Sequence, residues 1–114
     1  MNFGPLPTVA AAAVPSEGFV LDVREDDEWA AGHVEGALHI PMSEFVARFG
    51  ELTEAAEDGR RVHVMCRVGG RSAQVTQYLV RQGIDAVNVD GGMQAWEGAG
   101  RPMVADHGNP AFVL

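Results

Sequence analysis

Four short apolar runs, separated by helix-like segments, constrain the fold of this chain more than any other feature. The runs cover residues 19–23, 37–40, 61–65 and 86–89 and are rich in valine, isoleucine and leucine. Several are nearly continuous rather than alternating with polar residues, which is typical of parallel strands covered on both faces. Because strands that alternate with helices form βαβ units, the sequence predicts an α/β fold with a small, mainly parallel central sheet flanked by helices on both faces.

Helices are predicted over residues 25–32, 43–52, 71–83 and 92–98. The second is expected to begin at Ser43 as its N-cap, and the third to end at Gly83, since glycine adopts the left-handed conformation that terminates many helices. A length of 114 residues is typical of one domain, so residues 1–114 are predicted to form a single domain. Residues 104–114 follow no recognisable pattern, and no element is predicted for them.

The composition argues against two classes of partner. The formal net charge is −8, from sixteen acidic residues and eight arginines with no lysine, whereas nucleic-acid binding needs clustered positive charge. No run approaches the roughly 20 apolar residues that a membrane-spanning helix needs. No lysine or arginine precedes Arg24, so the basic region of a secretory signal peptide is also missing. The sequence therefore predicts a cytoplasmic protein that binds neither nucleic acid nor membrane.

Cys66, the only cysteine, begins a loop that carries two glycines and two arginines. It follows the third apolar run, and ligands of open α/β sheets bind beyond the carboxyl ends of the strands. Gly69 and Gly70 let backbone N–H groups curl inward as an anion-binding nest, while Arg67 and Arg71 add positive charge. The following helix dipole also favours negative charge here, so Cys66 is the candidate nucleophile. A buried structural cysteine is the alternative, but it leaves the glycines and arginines unexplained.

The length of this loop distinguishes two chemistries. Four residues separate Cys66 from Arg71, and cysteine-based phosphatases have one residue more in this interval. The shorter loop suits a single additional sulfur better than a phosphoryl group, which argues against a phosphatase. The histidines show no ligand spacing and there is one cysteine, so no metal site is predicted.

Three segments together resemble the rhodanese-like sulfurtransferase family. They are LDVREDDEWAAGHVEGALHIP at 21–41, CRVGGRS at 66–72 and DGGMQAWEGAGRP at 90–102. Three motifs in the family's order and spacing are specific, whereas a cysteine and an arginine at this distance alone would be weak. The resemblance covers about residues 5–103.

The resemblance implies that Cys66 takes sulfane sulfur from a small anionic donor such as thiosulfate, or from a persulfide, and holds it as a persulfide. The sulfur then passes to a thiophilic acceptor such as cyanide or a thiol, with no cofactor. The residues expected to bind the donor and the persulfide are Arg67, Val68, Gly69, Gly70, Arg71 and Ser72. Arg71 would meet the sulfonate of the donor, and Ser72 would cap the helix or hydrogen-bond the sulfur.

Other functions of the same loop remain open at this point. The chain could be a protein-to-protein sulfur carrier or binding module with little thiosulfate turnover, served by a sulfur-relay protein. A silent regulatory module is disfavoured because such modules typically lack the cysteine. An arsenate-reductase mechanism is disfavoured because Cys66 has no second cysteine with which to form a disulfide.

Two further residues, Asp22 and Arg24, have two interpretations each. Asp22 could brace the Cys66 loop or cap its own loop. Arg24 is expected to pair with Glu28 on the surface at i,i+4, or to widen the positive mouth of the site. His33 is expected to have a helix-terminal or packing role. His63 is not expected to act as a base, because strand periodicity places it on the opposite face from Cys66.

Overall fold

A computed structural model describes residues 6–114 and contains a five-stranded sheet whose paired strands are all parallel. The strands are β1 (Thr8–Ala10), β2 (Phe19–Asp22), β3 (Leu38–His39), β4 (Val62–Met65) and β5 (Ala86–Asp90), and their spatial order is β1-β5-β4-β2-β3. The four predicted strands are confirmed. The edge strand β1 was not predicted, because three residues beside an alanine run carry no strand pattern and are defined by their pairing with β5.

The helices are α1 (Asp26–Ala31), α2 (Phe45–Ala55), α3 (Gly70–Arg81) and α4 (Gly92–Gly98). Gly83 follows α3 with a φ of +80°, as predicted. The prediction that Ser43 caps α2 is wrong. A 3₁₀ turn over Met42–Glu44 precedes the helix, and the Ser43 hydroxyl donates instead to the Glu25 carboxylate at 2.9 Å. Within residues 6–114, no helix is long and apolar enough to cross a membrane.

The sheet buries apolar side chains on both faces, which confirms the predicted layers. One face packs against α2 and α3, with Leu21, Val62 and Val64 meeting Phe45, Leu52, Val75 and Leu79. The other packs against α4 and a 3₁₀ turn over Ala11–Ala13, with Val20, Met65 and Val89 meeting Met93 and Trp96. Two-sided burial explains why the strand sequences are nearly continuous in apolar residues.

The carboxyl ends of β2 and β4 are aligned at one edge of the sheet. Asp22 lies opposite Met65 in the parallel register, and the N–H of Val23 donates to the carbonyl of Met65 at 2.9 Å. The segment after β2 and the segment after β4 therefore leave the sheet side by side. This alignment places Arg24 and Cys66 on neighbouring connections.

Arg24 lies in the interior and holds the β2–α1 connection together. Its side chain is completely buried, and its Nε and Nη2 atoms donate to the Asp22 carboxylate at 3.0 and 2.7 Å. Its guanidinium also donates to the backbone carbonyls of Glu28 and Gly32. The predicted surface ion pair with Glu28 is wrong, as is a widened positive mouth, because no part of Arg24 reaches solvent.

Asp22 caps its own loop, the second of its two interpretations. Its Oδ1 accepts the backbone N–H of Arg24 at 3.0 Å, and within residues 6–114 its carboxylate is otherwise bonded by the Arg24 side chain. The sequence could not separate this arrangement from a surface pair, because the burial of Arg24 depends on how α1 packs over the strand end.

We expect Arg24→Met to lower the free energy of unfolding by about 3–5 kcal/mol, because it leaves the buried Asp22 carboxylate without its counter-ion. Urea denaturation at neutral pH measures this loss. The control is Arg48→Met, which breaks ion pairs to Glu44 and Glu51 on the surface and should cost much less. Equal losses in the two variants would contradict the importance of the buried pair.

Candidate active site

Cys66 lies at the end of β4, immediately before the loop that leads into α3. It is 1% exposed, so its sulfur is enclosed by the loop rather than displayed on the surface. The Sγ atom accepts the N–H of Gly69 at 3.0 Å and lies 3.2 Å from the Ser72 Oγ. Gly69 adopts a φ of +110°, a conformation that side chains rarely tolerate, and this turn directs its N–H toward the sulfur.

A chain of hydrogen bonds links the sulfur to the neighbouring strand β5. The Ser72 hydroxyl donates to Oδ1 of Asn88 at 2.6 Å, and the Asn88 amide donates to the carbonyl of Gly69 at 3.2 Å. The second bond fixes the orientation of the amide, so its oxygen faces Ser72. Because a hydroxyl has one hydrogen but two lone pairs, Ser72 can accept from a Cys66 thiol or turn its hydrogen to a thiolate.

These contacts favour the ionised form of Cys66. Burial raises the pKa of the thiol, but the hydrogen bond from the Ser72 side chain and those from the backbone N–H groups of Ser72, Gly69 and Val68 outweigh burial. The net result is a pKa below the ordinary value of a cysteine. Since the thiolate is the nucleophilic form, the loop prepares Cys66 for attack on an electrophilic atom.

The first turn of α4 anchors the same loop through two backbone hydrogen bonds. The N–H groups of Met93 and Gln94 donate to the carbonyls of Cys66 and Arg67 at 2.8 and 3.0 Å. Gly92 has a φ of +54°, and a Cβ at this position would collide with the Cys66 and Arg67 backbone. The first turn of α4 thus binds the loop carbonyls of Cys66 and Arg67. The close approach of the two segments requires a glycine at position 92.

Arg71 does not extend freely into the mouth of the loop. Its Nη1 and Nη2 atoms donate to the two oxygens of the Glu28 carboxylate at 2.6 and 2.8 Å. The hydrogen bond from Arg71 lowers the pKa of Glu28, and the same bond raises the pKa of Arg71. The ion pair joins α1 to α3 across the site and leaves Arg71 close enough to Cys66 for their charges to interact.

Arg67 and Val68 form the exposed rim of the loop. Arg67 Nε donates to the backbone carbonyl of Leu114 at 3.0 Å, and Val68 is 52% exposed. The segment before Leu114 is fixed in turn, since the N–H of Phe112 donates to the carbonyl of Ala31 at 3.0 Å. Residues 104–114, for which the sequence predicted no element, thus cross from α1 to the rim of the cysteine loop.

The two histidines lie where the sequence predicted. His63 Nδ1 is 2.9 Å from the carbonyl of Phe19 and faces away from the sulfur. His33 Nδ1 is 2.7 Å from the carbonyl of Trp29, and the two rings stack with centroids 3.6 Å apart. The packing role of His33 is confirmed.

Three residues at this site were missed by the sequence analysis. Asn88 carried a signal, because it is a polar residue inside the apolar run AVNV and a buried amide requires a partner. Gly92 carried a weaker one, as part of a glycine pair directly after a strand. No signal in the sequence showed whether Glu28 would pair with Arg24 or with Arg71, because that choice depends on the crossing of α1 and α3.

Comparisons with known proteins agree on the family of this chain. A family model described as a rhodanese-like domain matches residues 7–99. The Bacillus subtilis protein YtwF, whose name refers to a sulfurtransferase, is 42% identical over 75% of this chain and 80% of its own length. A thiosulfate sulfurtransferase of Vibrio cholerae, GlpE, is 34% identical over 78% of this chain and 81% of its own length.

Two further similarities concern a carrier protein and a solved structure. The Bacillus subtilis protein YrkF, whose name refers to a sulfur carrier, is 38% identical over 69% of this chain but only 41% of its own length. The crystal structure of a rhodanese-related protein from Thermoplasma volcanium superposes with a TM-score of 0.78 at 31% identity. That match covers 88% of this chain and 99% of the other.

We expect the rate of Cys66 alkylation by iodoacetamide to reach half its maximum at a pH below the roughly 8.5 of an ordinary cysteine. Ser72→Ala should move this midpoint upward by about one pH unit, because the thiolate loses a hydrogen bond from a hydroxyl. Ser43→Ala, which removes an exposed hydroxyl that bonds to Glu25 rather than to the sulfur, serves as the control. Identical profiles for the three proteins would contradict the effect of Ser72 on the thiol.

Proposed function

The chain belongs to the rhodanese-like family, and on this basis we propose that it is a sulfurtransferase that moves sulfane sulfur through a persulfide on Cys66. One observation carries the proposal. The only cysteine of the chain lies at the carboxyl end of a central strand, where its sulfur accepts the N–H of Gly69 and lies 3.2 Å from the Ser72 hydroxyl. The donor is thiosulfate or a persulfide, and the acceptor is cyanide or a thiol.

The reaction proceeds in two displacement steps. The Cys66 thiolate attacks the outer sulfur of thiosulfate, a bond forms to Sγ, the bond to the sulfonate sulfur breaks, and sulfite leaves with the electron pair. The acceptor then attacks the outer sulfur of the persulfide, and the thiolate is the leaving group. With cyanide the product is thiocyanate. Neither step requires an oxidant or a reductant.

The loop assists both steps by electrostatics. Negative charge resides on sulfur before the attack, on the outer persulfide sulfur between the steps, and again on Sγ at the end. Backbone N–H groups of Val68, Gly69 and Ser72, which favour the thiolate, are aimed at this charge and need no reorganisation when it shifts outward. Since they are neutral donors, they stabilise the persulfide anion without binding the released product as strongly as a full positive charge would.

The two arginines have different tasks in this proposal. Arg71, at the start of α3, offers N–H groups beyond the two held by Glu28, and these meet the sulfonate of thiosulfate. Arg67, exposed on the rim, attracts the anion from solvent. Gly70 opens α3 and leaves room at the mouth, since a Cβ there would meet no atom within 4 Å.

A second candidate function is a protein-to-protein sulfur carrier. The similarity to YrkF favours it, as does the burial of the Cys66 sulfur beside the exposed Val68 on the rim. A carrier would receive sulfur from a relay protein and turn over thiosulfate poorly. Rapid transfer from a protein persulfide together with negligible thiosulfate turnover would favour the carrier over the thiosulfate enzyme.

We expect intact-mass spectrometry to show one added sulfur after incubation with thiosulfate, and its loss as thiocyanate after cyanide. Cys66→Ser should take up no sulfur and produce no thiocyanate, because the nucleophile is absent while the small side chain preserves the packing. A thermal melt of the variant checks its fold. Persistent transfer by a folded Cys66→Ser protein would refute the mechanism.

We expect Arg71→Ala to raise the KM for thiosulfate by about tenfold or more, because it removes a charged contact to the sulfonate. Its kcat should change less, since the N–H groups that stabilise the sulfur remain. Steady-state thiocyanate formation measures both constants. An unchanged KM would show that Arg71 does not bind the donor.

A further inference from the structure

Glu28 is the carboxylate that Arg71 binds, and it is firmly fixed there. Its side chain is 14% exposed, compared with 34% for Arg71. The Glu28 Oε1 also accepts the backbone N–H of Glu25 at 3.1 Å, the reciprocal half of a capping box at the start of α1. A carboxylate held by both a helix terminus and a bidentate guanidinium cannot turn away at little cost.

The ion pair changes the charge that an approaching donor meets. Without Glu28, the Arg71 guanidinium would present a full positive charge beside the Cys66 sulfur. With Glu28, its charge is neutralised within the site, and Asp22 contributes further negative charge near Arg71. The only other cationic side chain of the loop, Arg67, lies on the exposed rim, where its charge is screened by solvent.

A dianion is therefore a poorly matched donor for this site. Thiosulfate carries two negative charges and must approach a thiolate, so it depends on compensation by cationic groups. The overall charge of −8 adds to its repulsion at longer range. A persulfide carries at most one charge at its reactive sulfur, and its other sulfur bears an organic group rather than a sulfonate.

We infer that Glu28 determines donor specificity, by holding and neutralising Arg71 so that the site selects donors of low charge, such as organic or protein persulfides, over thiosulfate. This inference rests on the proposed sulfur transfer through Cys66 and narrows its substrate class. Glu28 acts through Arg71 rather than by touching the donor. It is a specificity-determining residue: it affects which donor charge the site accepts and does not take part in the displacement steps.

The experiment compares the wild type with Glu28→Gln, using an anionic and a neutral reagent of similar size. Iodoacetate and iodoacetamide both alkylate cysteine thiolates and differ by one negative charge. The second-order rate constant for iodoacetate, divided by that for iodoacetamide, therefore measures how well the site accepts a negatively charged reagent. We expect Glu28→Gln to raise this ratio about three- to tenfold, the effect of one charge a few ångströms away in a partly solvated site. The KM for thiosulfate should fall by about tenfold or more, with kcat within about twofold, because a dianion responds more strongly.

The matched control is Glu25→Gln. Glu25 supplies the other half of the same capping box and is exposed, but it bonds to Ser43 and not to Arg71. Each variant changes one half of the same capping box, so a purely structural effect on α1 would move both alike. Glu28→Met, which is similarly compatible with a helix, provides a second uncharged variant should Glu28→Gln fail to fold.

The outcomes separate this inference from the proposed function. A ratio that rises in the Glu28 variants and not in Glu25→Gln supports the inference. If no donor then transfers sulfur, the proposed function is refuted, while the effect of Glu28 on charged reagents at Cys66 still stands. Sulfur transfer with an unchanged ratio overturns the inference and leaves the proposed function standing. A ratio that falls overturns it as well, because Glu28 would then serve to present Arg71 to anions.

Discussion

The pairing of β4 between β2 and β5 is the constraint on which the rest of this molecule depends. Parallel strands end at the same edge, so one strand order brings the connections after β2, β4 and β5 together. Each connection makes a different contribution. The loop after β4 carries Cys66, the turn after β5 anchors that loop through α4, and the segment after β2 positions α1 beside it. A change in strand order would separate all three.

Charge and hydrogen bonding have separate functions around the sulfur. The thiolate is favoured by neutral donors at close range, chiefly the Ser72 hydroxyl and backbone N–H groups, which suit an anion that moves outward by one bond. Two guanidinium groups near the site are each compensated by a carboxylate, Arg71 by Glu28 and Arg24 by Asp22. In the proposed mechanism, the nucleophilicity of Cys66 and the selection of the donor depend on different residues, so each can be altered while the other is preserved.

Much of the fold could be predicted because its signals are local. Apolar runs of strand length indicated β2 to β5, and a glycine in the left-handed conformation ended α3 where expected. The α4 boundaries were predicted to the residue. The strand β1 and the 3₁₀ turn before α2 were missed, because a three-residue edge strand and a single turn depend on contacts with distant segments rather than on their own pattern.

The sequence by itself determined the position of Cys66 and of the donors in its own loop, since residues 66–72 are contiguous and the N–H groups of Val68, Gly69 and Ser72 point to one atom. Only the tertiary structure decided which charges meet. The sequence predicted that Arg24 pairs with Glu28, yet Arg24 is buried against Asp22, and Arg71 holds Glu28 from a different helix. The physical reason is the sequence separation of the bonded residues. The loop is closed by bonds between near neighbours, whereas the ion pair between α1 and α3 forms only once both helices are packed at the same sheet edge.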